Sequence, residues 1–181
     1  MGKIALEDLT DVLRCIRASR DVLVPPLPGF DCGVHRLGKE RCVVVATDPC
    51  INVPMEHFGW LLLHYSASDV SVFGASPQFC TINLLGPPRT HPRIFREAMR
   101  QVCAAARDLR TIIITRHTGT YDGVETLLGV CTVYGFLPIR DLITPAGARP
   151  GDLILCTKPI GLEVLTNVAI RRKRLATKLF G

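Results

Sequence analysis

The chain has 181 residues, is 48% hydrophobic and 21% charged, and carries a formal net charge of +6. This length and balance predict one ordinary globular domain with a real core, and the apolar runs are far shorter than the ~20 residues of a membrane helix. The N-terminal segment shows neither an apolar signal core nor a small-residue cleavage site, so we expect a cytoplasmic protein.

The pattern of apolar residues predicts an alternation of helices and strands. In chain order these are a helix over 5–20, a strand over 42–48, a helix over 58–73, a strand over 78–86, a helix over 91–109 and strands over 110–115, 124–137 and 153–161. A proline loop over 25–31 and a polar turn over 116–123 interrupt the pattern. The order predicts a mixed α+β fold rather than a regular βαβ repeat. Neither a Walker motif nor a GxGxxG motif is present, which argues against a P-loop or Rossmann nucleotide site.

Eight cysteines are spread along the chain without a CxxC pair and without Cys/His spacing typical of zinc. Most of them lie inside apolar runs, which predicts buried free thiols that pack as small hydrophobic side chains.

The positive charge is concentrated at the C-terminal end. Residues 171–181 contain five cationic side chains and no acid, so the first 170 residues carry only +1 of the total of +6. A cluster of this kind is either a solvated helix end or a contact for phosphate or nucleic acid. Because aromatic residues are not interleaved with the cations as in a nucleic-acid motif, we favour the solvated helix end and do not expect nucleic acid as a partner.

Three aspartates stand where predicted elements meet loops or apolar surroundings: Asp31 after the proline loop, Asp48 at the end of a buried strand and Asp69 inside an apolar helix. A carboxylate in an apolar element needs a cation, hydrogen-bond donors or a metal. Converging carboxylates suit Mg²⁺, which takes one or two of them and keeps waters and substrate phosphates. The alternative, that these side chains only cap helices and turns, stays open on spacing alone.

Four motifs follow one another along the chain: PGFDCGV, VVVATDP, SASDVSVFGASP and GARPGDLILCTKPIG. Their order and spacing, from about Pro25 to Leu165, resemble the N-terminal half of the aminoimidazole ribonucleotide synthetase superfamily. This superfamily includes the purine-pathway synthetase, thiamine-monophosphate kinase, selenophosphate synthetase, formylglycinamide ribonucleotide amidotransferase and the hydrogenase maturation factor. The motifs are most similar to those of archaeal proteins related to the maturation factor.

The resemblance implies a PurM-like N-terminal domain, with a mixed sheet flanked by helices. Two copies would pair their sheets into a β-barrel-like homodimer. It also implies ATP and Mg²⁺ as cofactors. By motif, Asp31, Asp48 and Asp69 match carboxylates that hold magnesium, and Thr118 matches a threonine near the phosphates. The shared chemistry is ATP hydrolysis or phosphoryl transfer that activates a carbonyl, amide or similar group of a substrate.

The segment around Thr118 departs from the superfamily's pattern. His117 stands where an aspartate that binds metal is usual, and Arg116 stands where a glycine is usual. Histidine is a poor ligand for Mg²⁺, whereas an arginine either holds a phosphate directly or blocks the site. We expect Arg116, His117 and Thr118 near the phosphates, and the resemblance leaves open whether the site is active.

The resemblance also divides the chain. It implies an N-terminal helix over 1–24, an ATP-binding domain over 25–165 and, over 166–181, the basic start of a linker or of a truncated second domain. Superfamily members usually carry a second domain that contributes to substrate specificity, so the acceptor, whether a small molecule or a protein, stays unidentified. The alternative to an enzyme is a non-catalytic dimeric scaffold or a nucleotide sensor.

Overall fold

The structure is a computed structural model that describes residues 4–156 and 161–180. The chain divides into two compact units between Pro145 and Ala146. Among its described residues, the first unit contains three α-helices and six strands: α1 (Leu6–Leu13), β1 (Val22–Val24), β2 (Cys32–Leu37), β3 (Arg41–Ile51), α2 (Phe58–Val72), β4 (Phe79–Gly86), α3 (Pro92–Leu109), β5 (Ile112–Thr120) and β6 (Leu128–Pro138).

The six strands form one mixed sheet in the order β1-β2-β3-β6-β4-β5. All neighbouring strands are antiparallel except β4 and β5, which are parallel and are connected through α3. A parallel pair needs a crossover of this kind, whereas β2 and β3 are joined by a tight turn. The mixed α+β fold predicted from the sequence is confirmed.

One face of the sheet is covered by α2 and α3, which also pack against each other. Along β3, β4 and β6 the burial alternates with a period of two, so every second side chain enters the core between sheet and helices. The largest fully buried side chains are Phe58, Leu62, Leu63, Ile82, Leu84, Val34, Val44, Val70, Val102, Val133, Cys42 and Cys50. Five cysteines are buried, which confirms that most thiols pack as core residues.

The other face of the sheet is less well covered and carries an apolar patch beside polar side chains such as Thr47 and Thr132. Its side chains include Val43, Val45, Phe79, Tyr134 and Phe136, all of them half-buried. The Phe79 ring stacks on Tyr134 with 4.9 Å between centroids and lies 5.5 Å from Phe136. This surface, called the open face below, therefore presents valines and an aromatic cluster.

Several predicted boundaries were wrong. The first helix ends at Leu13 rather than at residue 20, and strands β1 and β2 were not predicted. The segment predicted as a polar turn over 116–123 continues strand β5 as far as Thr120, and β6 begins at Leu128 rather than at residue 124. The tertiary pairing of β5 with β4 overrides the local preference of these polar residues for a turn.

The second unit contains two short helices, α4 (Leu162–Arg171) and α5 (Lys173–Phe180). The strand predicted over 153–161 is wrong for residues 153–156, which form no strand, and its residues 157–160 lie outside the described part of the chain. No helix among the described residues is long and apolar enough to cross a membrane.

Candidate carboxylate site on the helix-covered face

Asp48 lies in β3 on the face of the sheet that the helices cover, beside Cys131 of β6. Its carboxylate is half-buried and accepts a hydrogen bond from the Ser66 hydroxyl, with 2.9 Å between Ser66 Oγ and Asp48 Oδ2. Ser66 belongs to α2, is fully buried, and also lies 2.9 Å from the carbonyl oxygen of Cys131. Helix α2 therefore fixes the position of the carboxylate through one buried hydroxyl.

Two further carboxylates lie near this point, around the thiol of Cys32. Cys32 is the first residue of β2, pairs with Ala46 of β3 and is only 3% exposed. Burial, and after it the negative charges of Asp69, Asp31 and Asp48, raise the pKa of the Cys32 thiol to about 12. The three aspartates singled out in the sequence therefore share one electrostatic neighbourhood. Asp31 is exposed there, and Asp69 is half-buried on α2, one turn after Ser66.

The chemistry of these donors decides which cation could be held. With its pKa near 12, the Cys32 thiol is protonated at neutral pH, so the anionic donors are carboxylate oxygens. Within the described residues, no three His, Cys, Asp or Glu side chains are arranged to hold a metal by themselves. The anionic groups near this point are therefore oxygen donors, the type that hard cations prefer.

The residues expected near the phosphates lie on β5, at the edge of the sheet. Arg116 is paired with Ile82, His117 with Asn83 and Thr118 with Leu84 of β4. Because side chains alternate along a strand, Arg116 and Thr118 point to the helix-covered face together with Ile82 and Leu84, and His117 points to the open face. The three residues are consecutive but do not share one surface.

His117 has its own partner. Its Nε2 lies 2.5 Å from the Tyr121 hydroxyl, and both side chains are exposed. The structure therefore separates His117 from the carboxylates by the thickness of the sheet.

Sequence reasoning missed Ser66 at this site, and it did not place the Cys32 thiol among the three aspartates. The available signal for Ser66 was its position three residues before Asp69, because residues three apart on a helix lie on the same face. Cys32 directly follows Asp31, but a cysteine in an apolar run is more often a plain core residue. Neither position in the sequence reveals which distant residue the side chain contacts in the folded chain.

The family of the chain is established by its sequence. Residues 29–137 match the family model described as AIR synthase related protein, N-terminal domain. This range covers more than half of the chain and includes Asp31, Asp48, Asp69 and Thr118. The chain belongs to this family, as the resemblance implied.

The chain is also similar to a curated protein and to solved structures. The selenide, water dikinase of Carboxydothermus hydrogenoformans is 29% identical over 171 residues, which are 91% of this chain and 48% of the relative. The structure of tt0281 from Thermus thermophilus superposes with a TM-score of 0.74 and 20% identity, over 93% of this chain and 55% of that one. Hydrogenase maturation protein HypE, solved in complex with ATP, superposes with a TM-score of 0.56 and 23% sequence identity, over 65% of this chain and 37% of HypE. The chain spans about half the length of the curated relatives it matches.

Proposed function

We propose that this member of the AIR synthase related family binds ATP together with Mg²⁺ on the helix-covered face of its sheet. The observation that carries the proposal is the set of three aspartates around Cys32, with Asp48 held by the buried Ser66 hydroxyl. Mg²⁺ binds in proteins through one or two carboxylates and keeps water and phosphate oxygens as its other ligands. Three aspartates in one neighbourhood can supply those carboxylates, and the nucleotide supplies the phosphates.

In this proposal each aspartate has a separate task. Asp48 is the fixed ligand, because the hydrogen bond from Ser66 orients its carboxylate before any ion arrives. Asp69 and Asp31 complete the negative surface, one from helix α2 and one from the loop before β2. The bound ion would neutralise charge on the phosphoryl group that is transferred or released.

The phosphate contacts are assigned to β5. Arg116 and Thr118 share the face of the sheet on which Asp48 lies, so a guanidinium and a hydroxyl are available for phosphate oxygens. Arg116 would thereby act in place of the glycine usual at this position. His117 lies on the opposite face and would contact a second copy of the chain rather than the magnesium.

The proposed reaction class is ATP hydrolysis or phosphoryl transfer that activates a carbonyl, amide or similar group. Two similar proteins support the use of ATP. One is named selenide, water dikinase, and the other, HypE, was solved in complex with ATP. The acceptor would be a small molecule or a protein.

We also propose that two copies of the chain pair through the open face. The aromatic cluster of Phe79, Tyr134 and Phe136 and the valines of β3 form an apolar surface on this side of the sheet. Burying such a surface against a second sheet would be favourable by about 25 cal/mol for each Å² removed from water.

The experiment that tests ATP binding measures thermal unfolding with and without Mg²⁺-ATP. Ligand that binds only the folded chain stabilises it by about 2.7 kcal/mol at a hundred times the dissociation constant. We expect a rise in the melting temperature, and we expect Asp48→Asn to abolish the rise, whereas Asp108→Asn at the exposed end of α3 should leave it intact. A melting temperature unaffected by millimolar Mg²⁺-ATP would refute the proposal.

A second measurement separates an enzyme from the alternative of a scaffold or sensor. Release of inorganic phosphate from Mg²⁺-ATP is followed over hours in the presence of the wild-type chain. Release that is lost in Asp48→Asn supports catalysis at this site. Stabilisation without phosphate release would instead favour a nucleotide sensor.

A further inference from the structure

A cavity of about 650 Å³ opens at the end of the sheet that lies away from Asp48. It is lined by Lys39, Glu40, Arg41, Pro138, Ile139 and Arg140. Arg41 begins β3 and Asp48 lies seven residues later, which is about 23 Å along an extended strand. The volume is in the range of small-molecule sites, and the cavity is separate from the carboxylates described above.

The backbone around this cavity is well fixed. Leu37 and Arg41 are paired across the β2–β3 turn, in which Gly38 adopts a φ of +73°. Arg41 is also paired with Pro138, whose nitrogen carries no hydrogen, and the Ile139 N–H continues the ladder by donating to the Glu40 carbonyl oxygen at 2.8 Å. The side chains that line the cavity therefore project from a turn and a strand end that are hydrogen-bonded to each other.

The lining is strongly basic. Three of the six residues, Lys39, Arg41 and Arg140, are cationic, and Glu40 is the single acid, which gives the lining a net charge of +2. Arg140 Nε lies 3.7 Å from the exposed carboxylate of Asp141. Within the described part of the chain, no ion pair is recorded for Lys39 or Arg41. Cations that converge on one concave surface attract a multivalent anion, because it relieves their mutual repulsion.

We propose that this cavity is an anion site for a small molecule with a phosphate or pyrophosphate group. Arginine suits such a group because its planar guanidinium presents two parallel N–H donors to two phosphate oxygens, and Lys39 adds a point charge. The site contains no pair of carboxylates that could hold a divalent cation. Binding here is therefore independent of magnesium, in contrast to the ATP site proposed above.

The test is calorimetric titration of the whole chain with inorganic pyrophosphate, in EDTA and without divalent cations. We expect saturable binding of one pyrophosphate per chain. The double variant Arg41→Gln/Arg140→Gln should bind at least about tenfold more weakly, since two charge-assisted hydrogen-bonding groups are lost. The matched control is Arg93→Gln/Arg96→Gln, which removes two exposed cations from α3 and should bind as the wild type does.

The proposal would be overturned by no saturable binding by the wild-type chain, by an equal loss in the α3 control, or by unchanged affinity in the double variant. If the double variant does not fold, Lys39→Gln in the turn provides the same test, with an expected loss of severalfold in affinity. Asp48→Asn should retain pyrophosphate binding, so failure of the ATP proposal and failure of this one remain distinguishable. Loss of binding in Asp48→Asn would show that binding does not depend on this cavity alone, and it would also refute the second site.

Discussion

Asp48 and Arg116 lie on one row across four strands of the sheet and on the same face of it. Asp48 is paired with Cys131, Cys131 with Ile82, and Ile82 with Arg116. Three strand spacings separate the two residues, which is about 14 Å. The two residues are 68 positions apart in sequence. The strand order β3-β6-β4-β5 aligns them across the sheet.

This row leads to a prediction for Arg116. If its guanidinium contacts the phosphates of a nucleotide whose magnesium is held at Asp48, Arg116→Gln should weaken Mg²⁺-ATP binding by about tenfold. The free energy of unfolding should change by no more than about 0.5 kcal/mol, because the side chain is exposed. Calorimetric titration measures the affinity, and Arg96→Gln on α3 is the control with an equal change of charge. Equal affinities in Arg116→Gln and the wild type would remove Arg116 from the site.

The buried hydroxyl of Ser66 provides a second prediction. Ser66→Ala removes a hydroxyl that lies 2.9 Å from both Asp48 Oδ2 and the Cys131 carbonyl oxygen, and we expect a loss of about 1–2 kcal/mol in the free energy of unfolding. Because an outer hydrogen bond orients a ligand carboxylate, affinity for Mg²⁺-ATP should also fall by about tenfold.

Urea unfolding and titration of the same variant measure the two effects of Ser66→Ala. Ser68→Ala is the matched control, since Ser68 lies on the same helix, is exposed and donates to the carbonyl oxygen of Tyr65 in the preceding turn. A variant of Ser66 that binds Mg²⁺-ATP with wild-type affinity would show that this hydroxyl does not orient a ligand.

Sequence reasoning was most successful where a pattern is long or where motifs occur in a fixed order. Helices α2 and α3 were predicted to within two residues at each end, because both are long. Gly74 follows α2, and α3 ends at Arg110, whose backbone has a positive φ. The family and the mixed sheet followed from four motifs that appear in order.

The parts that sequence reasoning missed depend on contacts between distant segments. Residues 116–120 resemble a turn because they are polar, yet they form an edge strand whose exposed side chains need not be apolar. Ser66 resembles a small spacer in a helix, and only its contact with Asp48, 18 residues away, gives it a role. Strand β2 has only six residues and mixes apolar residues with His35 and Arg36, so the apolar alternation typical of a strand is not recognisable in its sequence.

The raised pKa of Cys32 predicts how stability depends on pH. The thiol has a pKa of about 12 in the folded chain and an ordinary value of 9.0 when unfolded. Above pH 9 the unfolded chain therefore loses this proton first, so the stabilisation is fully present below pH 9 and is lost as the pH rises towards 12.

Urea unfolding between pH 8 and 11 tests this dependence. We expect Cys32→Ala to show a shallower decline with pH than the wild type, whatever its stability at pH 8, because one titrating group has been removed. Cys15→Ala, which removes an exposed thiol, is the control and should keep the wild-type slope. Identical slopes in all three proteins would mean that burial and the aspartates do not raise the pKa of the Cys32 thiol.

Pairing through the open face predicts a change of mass on substitution. The chain has a mass of 19.9 kDa, so a pair has twice this mass, 39.8 kDa. A carboxylate at the centre of an apolar interface is buried without a partner and is strongly unfavourable. We therefore expect Val45→Asp, on the open face of β3, to shift the protein from the pair to the single chain in a sedimentation experiment. Val72→Asp makes the same change at a side chain 68% exposed at the end of α2, and it should leave the pair intact. A wild-type protein that sediments only as a single chain at micromolar concentration would rule out this pairing, and His117 would then face solvent rather than a second sheet.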